Sequence, residues 1–322
     1  MQPELVAAIE DLRRDGVLSD AQAGEVLPAA RRELVSIRAE LAALLYGGVV
    51  LAVSGVGLFL KVNQDRIGPT AIASLLLAAA VACFAFVFRR SPAFSWGAAT
   101  STHVAADYLL LLGVLLAGSD LAYLETRFRF LGPHWPYHLL VLSVIAFAAA
   151  YRFDSRVVLS LALSSFAAWR GLSTRFPFEP VLSGRWSDAR INALFTGALF
   201  LAAAFVSVRA RRKAHFEGVF AAFGWLLLFG GLLSGAFDPG DNWPLWAAAA
   251  GLGALGVLVF AYRARRPFDF AVAVVAAYLS VLRPLWLAVG KSEEGFFFLV
   301  AASSLAVLVL LVLSYRRMRA PA

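Results

Sequence analysis

Residues 41–60, 67–88, 218–237, 243–262 and 295–315 each run about twenty positions without a charged side chain. A helix of that length crosses the ~30 Å of hydrocarbon in a bilayer, and no water-soluble core calls for five such runs in one chain. The pattern therefore dictates an all-α, polytopic membrane bundle. Composition agrees: 61% of residues are hydrophobic, 16% are charged, and mean hydropathy is +0.75. Such values lie far from those of a soluble domain.

Five less uniform segments, residues 100–124, 136–151, 157–172, 191–208 and 270–290, bring the expected number of spans to ten. Arginine placement then orients them. Counted from a cytoplasmic N-terminus, the inside segments hold 19 of the 29 basic residues, the asymmetry of the positive-inside rule. The weakest span, 157–172, is expected to cross, because otherwise the three strongest basic clusters after it would face outward. Both termini are expected in the cytoplasm of a bacterial cell, with the bundle in its cytoplasmic membrane. No cleavable signal peptide is expected, since forty mostly polar residues precede the first apolar run. The net charge of +8 serves orientation rather than nucleic acid, because the arginines sit at segment ends. All but three of the basic residues, Lys61, Lys213 and Lys291, are arginine.

Arg89, Arg152, Arg209, Arg263 and Arg316 close alternate spans at intervals of 63, 57, 54 and 53 residues. That regularity predicts five helical hairpins in series, each turning on the outside. Residues 1–40 predict a separate cytoplasmic helical hairpin. Pro3 suits a first helical turn, Leu5, Ile9 and Leu12 share a face, and Gly16 is placed to stop the helix. Ser19-Asp20-Ala21-Gln22 then reads as a capping box opening a second helix, which Pro28 kinks or restarts. The hairpin either steadies the first span or offers a surface for a protein partner or for self-association.

The helix pair with Gly16-Val17-Leu18-Ser19 and Gln22-Ala23 is followed by Gly47-Gly48, by Gly55-Val56-Gly57-Leu58-Phe59 and by Asn63. In that order these elements resemble the bacterial predicted-membrane-protein family called domain of unknown function 2157, over about the first 90 residues. In that family tryptophan commonly follows the asparagine, where Gln64 stands here. The resemblance implies many spans and a cytoplasmic helical N-terminus, and it implies no reaction.

Four polar residues within the spans form the candidate site: His103, Asp107, Asp120 and Arg283. The twelve residues between Asp107 and Asp120 cover about 18 Å as a helix, too little to cross the bilayer. At least one of the two carboxylates must lie in or beside the hydrocarbon, where ionisable groups need a partner or a wet cavity. His103 falls on the same helix face as Asp107, placed to share its proton. The functional reading is a proton or cation site, and the plain one is an interfacial cap or structural hydrogen bond. Arg283, beside Pro284, lies toward the outer end of its span, where it either snorkels outward or pairs with Asp120.

His134 and His138 are four apart, but Pro136 between them suits a helix start better than a ligand face, so no metal site is expected. Cys83 is the sole cysteine, which rules out an intrachain disulfide. Glycines 47, 48, 55, 230, 231, 235, 251, 253 and 256 predict close helix packing. There is no Walker A loop, His-Glu-x-x-His or Gly-x-Ser-x-Gly element, and no cofactor is expected. These features favour a non-enzymatic scaffold or sensor-like component of a membrane assembly. The alternative is a small-molecule or ion permease built on the intramembrane Asp, His and Arg.

Overall fold

The structure is a computed structural model, which describes residues 3–20, 22–24, 38–97, 104–172, 186–240, 242–288 and 293–319. The chain divides into two compact units, Met1–Val56 and Gly57–Ala322. No strand occurs among the described residues.

In the first unit, α1 (Pro3–Arg14) stops at Gly16, whose φ of 71° is the left-handed conformation glycine adopts without strain. The capping box forms reciprocally. The Gln22 backbone N–H donates to Ser19 Oγ at 3.3 Å, and the Ser19 N–H donates to Gln22 Oε1 at 3.0 Å. Ile9 and Ala23 are buried, and Arg13 bridges Asp20 at 2.6 Å across the turn. Pro28 lies outside the described residues. Helix α2 (Arg38–Ile67) has residues on both sides of the division between the units.

The second unit continues with α3 (Pro69–Arg90), α4 (Val104–Phe128), α5 (Tyr137–Phe153), α6 (Arg156–Leu172) and α7 (Trp186–Arg209). It is completed by α8 (Glu217–Ala236), α9 (Trp243–Arg263), α10 (Pro267–Ala288) and α11 (Glu293–Arg319). Seven helices are long and apolar enough to span: Pro69–Arg90, Ala106–Phe128, Ala189–Arg209, Ala214–Ala236, Trp243–Arg263, Pro267–Ala288 and Gly295–Tyr315. Three of the ten expected spans fall short of that measure. Leu44–Phe59 is a shorter apolar stretch, and α5 and α6 have 17 residues each, about 25 Å at 1.5 Å per residue.

The closely packed pairs are α3 with α4, α5 with α6, α7 with α8 and α9 with α10. These pairs turn at the arginine-rich end of the bundle. The expected hairpins, turning at the opposite end, are thus offset by one helix from the pairs that pack best. Tight turns favour three of the four pairs. Asp154, Arg211, Lys213 and Arg265 all take left-handed φ values of 50–62°, which reverse the chain within a few residues. Helices α7 and α8 approach each other through glycines on both sides. A Cβ on Gly197 would sit 2.8 Å from the Leu228 nitrogen, and one on Gly224 would sit 2.7 Å from Leu201 Cγ. Gly231 and Gly235 are likewise filled by Leu194 and Trp246, and Gly251 meets Ser280. A Cβ on glycines 47, 48, 55, 230 or 256 would meet nothing within 4 Å among the described residues.

Candidate functional site

The ion pairs of the second unit gather at the two ends of the bundle. At the arginine-rich end, α5 stops at Asp154, whose left-handed backbone turns the chain into α6. Its carboxylate Oδ1 accepts Lys213 Nζ at 2.8 Å and meets His215 Nε2 at 2.6 Å. Lys213 is 1% exposed, the largest fully buried side chain of the molecule as described. A buried ammonium needs such a partner, because desolvation alone would be prohibitive.

Residues 91–97 cover the cluster. The Lys213 backbone N–H donates to the Trp96 carbonyl at 2.8 Å, and Arg152 donates to the Pro92 carbonyl at 3.0 Å. Phe94 and Phe216 place their rings 5.5 and 5.9 Å from the Lys213 ammonium. Asp107, at the start of α4, lies within hydrogen-bonding reach of Ser155. Asp107, Asp154, Lys213, Arg152 and Ser95 line a cavity of about 50 Å³, room for one or a few waters. Leu110 and Val87, each 1% exposed, line the same cavity. A second tie at this end joins Arg266 to Glu217, and to Asp269 at 3.6 Å.

At the opposite end, Arg190 of α7 is buried and binds Asp238 Oδ2 and Ser234 Oγ. That hydrogen bond, with one from the Gly240 N–H, holds the Asp238 carboxyl below the usual carboxylate range. Arg283 of α10 donates to the Ala236 carbonyl at 2.9 Å and to the Asp238 carbonyl, over the Trp243 ring. The Ala236 carbonyl is at the C-terminus of α8, whose last acceptors have no partner within the helix, and Asp238 lies in the turn that follows. Arg170 and Asn192 add a reciprocal pair, at 2.7 and 3.1 Å.

Of the four candidate residues, His103 lies outside the described residues. Asp107 joins the arginine-end cluster. The expected pairing of Asp120 with Arg283 does not form: Arg283 caps α8 instead. Asp120 is 5% exposed, and among the described residues its Oδ1 has no hydrogen-bond partner; nor does the nearby Tyr123 hydroxyl. Along α4 between the two aspartates, Leu110, Leu111, Val114 and Leu116 are all buried. His138 Nδ1 meets the Trp135 carbonyl, and Glu125 accepts the Leu131 N–H. Among the described residues no group of three metal-ligating side chains converges.

The sequence reading missed Asp154, Lys213 and His215 as a unit, and Arg190 with Asp238. One signal was available for the first. In a chain that uses arginine almost everywhere, a lysine at the end of Arg209-Ala210-Arg211-Arg212-Lys213 marks a place where a compact ammonium fits and a guanidinium does not.

Long apolar helices with apolar outer faces, and with ion pairs gathered at the helix ends, define a helical multi-pass membrane protein. Residues 10–159 match the sequence model of the family described as predicted membrane protein (DUF2157). That is the family the N-terminal residues resemble, and the match extends well past residue 90. It includes Asp107, Asp120 and Asp154, and stops short of Lys213, His215 and Arg283. No curated protein and no solved structure matches the chain.

Proposed function

We propose that this is a non-enzymatic multi-pass protein of the bacterial cytoplasmic membrane, a scaffold or sensor-like component of a larger assembly. The carrying observation is the apolar floor beneath Asp107. Buried leucines and valine separate it from Asp120 along α4, so the polar groups of the two ends share no wet path on that helix. A permease needs such a path near the membrane midplane. Ten crossings agree with the charge pattern, with α5 and α6 as short spans and Arg156 and Arg170 snorkelling to opposite interfaces. The positive-inside rule places the arginine-rich end and both termini in the cytoplasm. There the N-terminal helical hairpin is available to a protein partner.

One observation favours the permease as a second reading: the buried Asp120 Oδ1 without a partner among the described residues, the kind of group that intramembrane ion and proton sites contain. Thermal unfolding in lipid nanodiscs, across pH, ions and metabolites, separates the two readings. A scaffold is expected to show no ligand-dependent rise in Tm. A rise in wild type that Asp107→Asn or Asp120→Asn abolishes overturns the scaffold reading, because a ligand bound to the folded state stabilises it by mass action.

A further inference from the structure

We infer that the cleft between α3 and α5 binds one anionic phospholipid from the leaflet at the arginine-rich end. The two helices run parallel toward that end, both packed on α4. Between them lies an open groove of about 670 Å³. It is lined from α3 by Val81, Phe84, Ala85, Phe88 and Arg89, and from α5 by Ile145, Ala148, Ala149, Arg152 and Phe153. Each set repeats at i, i+3, i+4, i+7 and i+8, one continuous face two turns long. That gives an apolar trough of about 12 Å, the form of a seat for part of an acyl chain.

The trough ends at a charged rim. Phe88 and Phe153 meet edge to face at 6.5 Å, and the Arg152 guanidinium lies 5.1 Å from the Phe88 ring. Arg152 uses one of its five donors on Pro92. Arg89 is exposed and makes no hydrogen bond or ion pair with any described residue. The nearest acid of that turn, Asp154, is already paired with Lys213. An apolar trough capped by two cations with donors to spare is complementary to a phosphate carrying an acyl chain. The C-termini of α3 and α5 themselves disfavour an anion, so the attraction rests on the two guanidiniums.

Native mass spectrometry of the full chain, released from micelles with equal phosphatidylglycerol and phosphatidylcholine of the same chains, tests this. Wild type is expected to retain phosphatidylglycerol preferentially. Arg89→Gln and Arg152→Gln should each lower that preference about fivefold. Arg209→Gln, an exposed arginine at the same end outside the groove, should leave it unchanged. Arg89 has no structural bond to lose, so its variant is informative even if Arg152→Gln folds poorly. Ala148→Trp keeps both arginines and fills the trough, and should abolish retention of either lipid. Equal retention of the two lipids, an Arg209→Gln loss as large as that of Arg89→Gln, or undiminished binding in Ala148→Trp would overturn the inference. So would a dimer mass that Ala148→Trp dissociates, since a second copy would then fill the groove.

Discussion

Replacing Asp154 by Asn removes the one carboxylate within 4 Å of Lys213 among the described residues. Asn tolerates the left-handed backbone at this position, so the turn survives and the charge alone changes. Lys213 is 1% exposed and the Asp154 side chain 8%, so the ammonium cannot move to water without opening the turn. Losing one partner of such a pair costs about 3–5 kcal/mol. Lys213→Met should cost less, about 1–3 kcal/mol, because Asp154 keeps its contact with His215 at 2.6 Å. The double variant, with neither charge, should lose less than the sum of the single losses, by about 2 kcal/mol or more. The assay is reversible unfolding in mixed micelles of rising sodium dodecyl sulfate content, followed by tryptophan fluorescence. If Asp154→Asn costs less than about 1 kcal/mol, or if the two losses simply add, the pair is not the structural lock described.

Two further outcomes follow from other parts of the molecule. Gly197→Ala should destabilise the protein by about 1–3 kcal/mol, because its Cβ meets backbone that cannot give way; Gly47→Ala, in open space within a helix, should be neutral or stabilising by up to about 1 kcal/mol. The same unfolding assay compares them. Asp238 has a folded-state pKa below its unfolded value near 3.9, chiefly through the Arg190 hydrogen bond. Its contribution is therefore complete above that value and is lost as pH falls through the folded one. The Tm of wild type should drop between pH 5 and pH 3 more steeply than that of Asp238→Asn, and equal slopes would refute the link.

The helices were legible in the sequence because hydrocarbon thickness is a severe filter on side-chain charge. Even so, α5 and α6 show its limit: their charge-free runs are short, and the turn between them is a matter of backbone at Asp154 and Ser155. The capping box was legible because Ser19 and Gln22 are neighbours in sequence. Hairpin pairing was not, because an arginine that reports sidedness says nothing about which adjacent helix packs more closely. For α7 and α8 that choice also depends on Gly197 meeting Gly224 across 27 residues. The candidate carboxylates were found by their cost in lipid, but their partners were not. Arg283 takes backbone carbonyls rather than a carboxylate, and carbonyls leave no trace in sequence. Lys213 was hidden among arginines that carry the same formal charge.

A chain with only three amines on its side chains carries an unusual reporter in Lys213. Locked under residues 91–97 and paired with Asp154 at 1% exposure, it is out of reach of an acylating reagent while the turn is closed. Its modification therefore times the excursions in which the covering segment lifts, much as a protected amide times local unfolding. The arginine-rich end thus keeps its own clock, readable by peptide mass without adding a probe.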